Sequence, residues 1–309
     1  MNRHCIKFST FGFTFLACII LSWWYFQGSL LRQAHSHCPS PVPQNVSAVD
    51  GESARRFPQA IIVGVRKGGT RALIDMLALH PQISAARPEV HYFDYDSNFD
   101  KGVQWYIDQM PLTRPDQITM EKSPSYFVTP HVPQRMSMVS RNLKLILILR
   151  DPVTRLISDY AQLLAKDKQK YSLEDKVFNS TGHLNTAWAP VVCSMYDVHI
   201  ARWLGHFRRE QIHIVDGDKF IEHPFSELLK VETYLRLEPF FNSDMFTFNK
   251  TKGFYCWMKV NGKESHVCLG NEKGRPHPFV SQETVSRLKD FYKPHNQQFR
   301  MLTGTDLRW

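Results

Sequence analysis

Residues 60–71 read Ala-Ile-Ile-Val-Gly-Val-Arg-Lys-Gly-Gly-Thr-Arg, an uncharged run that stops at a basic, glycine-bearing turn. A helix-forming stretch, Ala-Leu-Ile-Asp-Met-Leu, follows at once. Short continuous apolar runs suit strands buried on both faces, which occur in parallel sheets covered by helices. A buried strand that feeds a glycine turn and a helix N-terminus leaves several backbone N–H groups aimed at one place, and such a place attracts anions. Lys67 adds a full positive charge there. The order differs from the Walker A loop, G-x-x-x-x-G-K-[ST], because here the lysine precedes the glycines. The turn therefore reads as a phosphate or sulfate cradle before it reads as an ATPase loop.

The same alternation continues along the chain. Strands are expected at Ala60–Val65, Ile118–Glu121, Leu143–Leu149 and Gln211–Val215, and helices at Thr70–His80, Pro152–Lys166, Ser194–Phe207 and Ser281–Phe291. The expected fold is α/β: one domain over residues 57–309 with a P-loop-like parallel sheet flanked by helices. In such sheets ligands bind beyond the carboxyl ends of the strands. The polar segments fall there: Arg66 to Arg71 after one strand, Lys122-Ser-Pro-Ser-Tyr126 after another, and Arg150-Asp151-Pro152 after a third. Asp151 and Pro152 fit the N-cap and first position of the following helix.

The N-terminus divides into three parts. Residues 1–7 form a short tail with Arg3, His4 and Lys7, and Phe8 to Phe26 carries no charged residue. That is close to the ~20 residues needed to cross a bilayer, and Trp23, Trp24 and Tyr25 end it as an interfacial belt. A cleaved signal peptide begins in the same way, but its apolar core runs only ~7–15 residues and ends at small residues. The reading adopted is a transmembrane signal anchor at 8–26 with the basic end cytosolic, then a luminal stem at 27–56 containing Pro39, Pro41 and Pro43. Asn45, Asn179 and Asn249 begin glycosylation sequons, which fits a luminal body. Cys256 and Cys268, flanked by strand-like residues, read as a short hairpin disulfide. A zinc pair is the competing reading, and no second close cysteine pair completes such a site. The formal charge of +9 suits nucleic acid, anionic lipid or an acidic polysaccharide, and does not choose among them.

Three further constellations carry chemistry. The strand Leu145–Leu149 ends in Arg150, a cation suited to an anion, where a P-loop NTPase commonly places a metal-binding aspartate. Ser158 lies about two helical turns further on. In Arg87-Pro-Glu89-Val-His91-Tyr-Phe-Asp94, an extended backbone would put Glu89 and His91 on one face, where a carboxylate beside an imidazole can act as a general base. A solvated surface pair is the commoner meaning of two such residues. Last, Cys268 leads to Lys273-Gly274-Arg275, two cations able to close over a ligand, or simply a basic loop.

Taken in order, the Arg-Lys-Gly-Gly-Thr-Arg turn, Glu-Val-His-Tyr-Phe-Asp, Glu-Lys-Ser-Pro-Ser-Tyr-Phe, Arg-Asp-Pro-Val-Thr-Arg-Leu-Ile-Ser-Asp-Tyr and Cys-Leu-Gly…Lys-Gly-Arg-Pro-His-Pro resemble the heparan sulfate glucosamine 3-O-sulfotransferase family. The resemblance spans essentially all of Phe57–Trp309. It implies sulfuryl transfer from 3′-phosphoadenosine 5′-phosphosulfate (PAPS) to a heparan sulfate chain, without a metal, by a single-pass type II protein of the Golgi membrane. It further implies that Lys67, Gly68, Gly69 and Thr70 hold the 5′-phosphosulfate, that Arg150 and Ser158 bind the 3′-phosphate, and that Lys273, Gly274 and Arg275 close over the nucleotide. Glu89 becomes the catalytic base, supported by His91 and Asp94. Arg66, Arg71, Lys122, Ser125 and Gln162 become acceptor contacts, with Arg71 equally open to a role at the nucleotide. Tyr92 replaces a common phenylalanine, Asn271-Glu272 makes the clamp less basic, and Arg87 and Gly270 fall where relatives vary. A heparan sulfate-binding protein without turnover, and a sulfotransferase of other position specificity, remain compatible at this level. A nucleotide kinase is disfavoured by the displaced lysine and by Arg150.

Overall fold

The computed structural model describes residues 52–167, 172–258, 266–270 and 276–309. The expected anchor, most of the stem, Asn45 and the Lys273-Gly274-Arg275 loop lie outside these residues. A central sheet is built from β1 (Ala60–Gly64), β2 (Ile83–Ala85), β3 (Ile118–Lys122), β4 (Lys144–Leu149) and β5 (Ile212–Asp216). Its order is β2-β3-β1-β4-β5, and every pairing is parallel. The side chains alternate as a two-residue period demands. Ile61, Val63, Leu145 and Leu147 enter one core cluster, while Ala60, Ile62, Ile146 and Ile148 enter the other. Burial on both faces explains why these strands are apolar without interruption.

Helices α1 (Thr70–Leu77), α2 (Gly102–Asp108), α3 (Val132–Val139), α4 (Pro152–Asp167), α5 (Tyr196–Leu204), α6 (Pro224–Leu235) and α7 (Gln282–Thr303) cover the sheet. The expected α/β architecture is observed, with some changes of boundary. β2 has only three residues at the sheet edge and too little apolar pattern to be read from sequence. The C-terminal helix runs twelve residues past Phe291 to Thr303, through Pro294. A proline inside a helix removes one hydrogen bond and crowds the preceding turn. Here the buried stripe outweighs that loss: Leu288 and Tyr292 pack with Val153 and Leu156 of α4, and Phe299 packs with Tyr196 and Ile200 of α5.

Two smaller assemblies complete the body. Ala54–Arg55 pairs antiparallel with Leu112–Thr113, so the end of the segment assigned to the stem is already part of the folded body. Phe246–Asn249, Phe254–Met258 and His266–Val267 form a three-stranded antiparallel sheet. The expected disulfide between Cys256 and Cys268 is formed within it.

Order β2-β3-β1-β4-β5 makes β1 the strand from which the chain first turns one way and later the other. The crevice at its carboxyl end is where such sheets hold ligands. The loops after β1, β3 and β4 all open there.

Candidate active site

The turn after β1 is held from below by backbone. Val65 N–H donates to the Ile148 carbonyl at 2.9 Å, and Gly68 N–H donates to the Val65 carbonyl at 2.8 Å. A Cβ on Gly68 would stand 2.5 Å from the Ile148 carbonyl oxygen and 2.9 Å from that of Val65. No larger residue fits. Gly69 has φ 112°, outside the comfortable range of side-chain-bearing residues. Lys67 itself is left-handed, with φ 71°, a strained conformation that persists only where surrounding structure enforces it. Among the described residues no side chain caps the N-terminus of α1, so its first N–H groups face the crevice together with Lys67.

Cations surround this point. Lys67 Nζ donates to Gln162 Oε1 at 3.0 Å. Arg150, half-buried at the end of β4, is oriented by Asp218 at 3.1 Å. His277, just beyond the clamp loop, is open to solvent, yet its pKa is lowered by the protein atoms crowding the ring and then by the charges of Arg150 and Lys67. His277 therefore lies near the anion turn. Ser158 lies half-buried on α4, and among the described residues no hydrogen bond joins it to Arg150.

The second half of the site is a chain of alternating charges. Lys122 Nζ donates to Glu89 Oε1, Glu89 Oε2 meets His91 Nε2 at 3.3 Å, and His91 Nδ1 lies 2.9 Å from Asp94 Oδ2. Ser125 Oγ donates to the same Asp94 oxygen at 2.5 Å. The expectation that Glu89 and His91 project from one face of an extended segment is corrected. The two belong to a loop, and His91 is left-handed with φ 52°; the turn, rather than strand alternation, brings them together.

The electrostatics follow from these contacts. Burial pushes the Glu89 carboxyl up, but hydrogen bonds from His91 and Lys122, with their charges, outweigh it and hold the pKa at about 2. For His91 the bonds to Asp94 and then Glu89 dominate over the burial that opposes charge, and its pKa stands at about 9. At neutral pH Glu89 is thus ionised and His91 protonated.

The residues assigned to acceptor contact are all engaged by the protein. Arg66 pairs with Asp159 at 2.9 Å, Arg71 with Asp75 at 2.7 Å, Lys122 with Glu89, Ser125 with Asp94 and Gln162 with Lys67. Arg87 reaches Asp75 as well, at 2.6 Å, which ties the loop carrying Glu89 to the helix that begins at the anion turn.

Sequence reasoning missed the residues that hold this site. Arg155 is fully buried. It donates to Ser194 Oγ at 2.6 Å, to Asp159 Oδ2 at 3.0 Å and to the Arg66 carbonyl at 3.4 Å, and so braces the turn from α4. Asp75, Asp159 and Asp218 each fix a cation of the site. A carboxylate four residues from an arginine on one helix was a legible signal for Arg71–Asp75 and Arg155–Asp159; the Asp218–Arg150 contact, across two loops, had none. Among the described residues no group of three or more His, Cys, Asp or Glu stands in an arrangement that could hold a metal ion.

This crevice gathers an uncapped helix end, fixed cations and a carboxylate paired to an imidazolium, a combination suited to an anionic ligand. Known proteins make the class specific. The family described as Sulfotransferase domain matches residues 57–303. Heparan sulfate glucosamine 3-O-sulfotransferase 3B1 of Homo sapiens is 44% identical over 273 residues, covering 88% of this chain and 69% of that protein. Heparan sulfate glucosamine 3-O-sulfotransferase 5 of Homo sapiens is 45% identical over 260 residues, covering 82% and 75%. A sulfotransferase crystal structure from Alicyclobacillus acidocaldarius superposes with a TM-score of 0.63 at 19% identity, covering 82% of this chain and 98% of that one, which shows the fold. The chain belongs to the sulfotransferase family, among the heparan sulfate glucosamine 3-O-sulfotransferases.

Proposed function

We propose that this protein transfers a sulfuryl group from PAPS to the 3-hydroxyl of glucosamine residues in heparan sulfate, with Glu89 as the general base. The observation that carries the reading is Glu89 itself: an ionised carboxylate held between His91 and Lys122, on a loop that Arg87 ties to Asp75 of the helix opening at the Lys67-Gly68-Gly69-Thr70 turn. The names of the relatives support the substrate class.

The residues present suit a nucleotide donor with two separate anionic groups. Lys67 and the N–H groups at the start of α1 would hold its 5′-phosphosulfate, and Arg150 with Ser158 its 3′-phosphate, with Lys273, Gly274 and Arg275 as the covering loop. The donor supplies the activated sulfuryl group and a phosphate leaving group. Glu89 accepts the hydroxyl proton as the acceptor oxygen bonds to sulfur, and Lys67 stabilises the charge that collects on the departing phosphate oxygen. His91, doubly hydrogen-bonded, keeps Glu89 aimed. Lys122 is the partner of Glu89 in the free protein; anionic groups in the crevice would draw its ammonium away and raise the basicity of the carboxylate when it is needed. Arg66, Arg71, Arg87 and Lys122 present the cations that an acidic polysaccharide requires.

The test uses the purified full-length chain, labelled donor and N-sulfated heparan sulfate, with disaccharide mapping of the product. Label at the glucosamine 3-position is expected, and Glu89→Gln should lose about 10²–10⁴-fold of the rate, the usual contribution of a general base, while donor binding is kept. Donor binding with no transfer to any glycan would leave a binding protein instead.

The N-terminal basic cluster followed by an apolar span supports residence as a single-pass type II protein of the Golgi membrane, with the body luminal. Asn179, exposed in a turn, is the better placed of the two described sequons. Asn249 is half-buried and holds the Lys252 N–H at 3.0 Å. Carbonate-resistant membrane association with a glycosidase-sensitive Asn179 is expected; release of the chain into the soluble fraction would refute the anchor.

A further inference from the structure

One fully buried carboxylate beneath the site takes no part in the chemistry above. Glu121, on β3 next to Lys122, is wholly inaccessible to solvent. Its Oε1 accepts from the Tyr106 hydroxyl at 3.0 Å, and its Oε2 accepts from Ser123 Oγ at 3.1 Å. The Tyr126 ring stands close enough to feel the Glu121 charge. The Ser123 and Tyr126 hydroxyls both face the loop that carries the base. Ser123 Oγ accepts the backbone N–H of His91 at 3.1 Å. The Tyr126 oxygen accepts those of Tyr92 at 2.8 Å and Phe93 at 3.4 Å.

A hydroxyl has one proton to give and lone pairs with which to accept. The Ser123 hydroxyl gives its proton to Glu121 and accepts the His91 N–H through a lone pair. An ionised carboxylate, which accepts and never donates, keeps that proton turned away from the loop. We infer that Glu121 is a positioning residue for the transfer reaction: by taking the proton of Ser123 it makes that hydroxyl an acceptor for the His91 N–H, and so locks the left-handed His91 turn against Glu89. The inference rests on the reading of Glu89 as the base.

The lock depends on charge. Burial raises Glu121 to about 7, against the opposing hydrogen bonds of Tyr106 and Ser123 and the charge of His91. Lys122 on the same strand feels the Glu121 charge, and Asp94 lies near enough to act on Tyr126. Above that pH Glu121 is ionised and accepts from the Tyr106 and Ser123 hydroxyls. Below it the carboxyl carries a proton, so one hydroxyl loses its acceptor and is free to turn its own proton toward the loop. The strained His91 backbone then loses part of its support.

The experiment compares the full-length wild-type chain with Glu121→Gln and Tyr126→Phe. It measures kcat, the donor dissociation constant, the pH–rate profile and the NMR titration of the His91 imidazole. In Glu121→Gln an amide replaces an acceptor oxygen without change of volume. Its kcat is expected to fall about tenfold, equivalent to ~1.4 kcal/mol, with donor affinity unchanged. The acid limb of the wild-type profile near pH 7 should disappear, and the His91 pKa should move down toward the free-imidazole value of ~6.5 as its contacts loosen. Tyr126→Phe, which leaves Glu121 in place, should lower both kcat and the His91 pKa while keeping an acid limb. Wild-type kcat and an unmoved His91 titration in both variants would overturn the inference. If Glu121→Gln does not fold, Ser123→Ala, which removes the hydroxyl between Glu121 and the His91 N–H, takes its place, and an unmoved His91 titration there would overturn the inference. A wild-type chain that transfers no sulfate would remove the proposed function, and the His91 titration would still decide whether Glu121 sets the loop.

Discussion

His91 and Glu89 hold opposite charges through opposite shifts, and stability should respond to each with its own sign. The Glu89 pKa is lowered from 4.5 to about 2. Its contribution is therefore complete above 4.5 and is lost as pH falls through about 2. The His91 pKa is raised from 6.5 to about 9, so its contribution is complete below 6.5 and is lost as pH rises through about 9. The denaturant midpoint of His91→Asn should accordingly lie below that of the wild type at pH 6, and the gap should close by pH 10 in matched equilibrium titrations. A gap that stays constant across this range would mean that His91 acts through packing alone. Both residues were singled out in the sequence as a carboxylate beside an imidazole, with their roles implied by the family resemblance, and their neighbour Tyr95, stacked on the His91 ring with centroids 4.7 Å apart, was not. Nothing in the local pattern distinguishes Tyr95 from any other surface tyrosine.

At the scale of the element, the anion turn is the part whose geometry tolerates least. The atoms facing Gly68 are backbone carbonyls of Val65 and Ile148, which cannot swing away as a flexible side chain could. Gly68→Ala should displace the turn from β4 and reduce donor affinity at least about tenfold, a loss of ~1.4 kcal/mol, as read by isothermal titration with the nucleotide. Unaltered affinity would show that the turn has room that the carbonyl distances deny. The other face of the turn is tied to α4 by Arg155. Removing a buried partner from such a pair costs about 3–5 kcal/mol because the opposite charge is left unpaired. Arg155→Leu should therefore lower the thermal midpoint well beyond the effect of its lost packing, though Arg66 remains to share Asp159. A midpoint within a degree or two of wild type would sink this view of the brace. The i, i+4 spacing of Arg155 and Asp159 was visible in the sequence. That the pair is buried, and which loop it supports, was not.

For the whole molecule, the excess of +9 and the cations gathered at one end of the sheet should make acceptor capture electrostatic. Charges separated by more than the Debye length, ~10 Å at ~0.1 M salt, are screened from one another. Raising salt should therefore lower kcat/KM for heparan sulfate steeply while leaving kcat at saturating acceptor little changed; a salt-independent kcat/KM would argue that capture is governed by shape. The alternation of apolar runs with helical segments determined the architecture before any coordinate. A run such as Leu145 to Leu149 is stable only when both its faces are covered, and that requirement already implies a parallel sheet with helices on either side. The glycine turn, the strand-end arginine and the disulfide were legible for the same reason, since each rests on local chemistry or on residues close in sequence. Tertiary structure alone decided which charges neutralise one another. Glu89 meets Lys122 at the end of β3, Arg150 meets Asp218 just beyond the end of β5, and Arg71 shares Asp75 with Arg87. Coulomb energy depends on distance and on burial, and neither is written in the order of residues until the sheet has brought its loops to one edge.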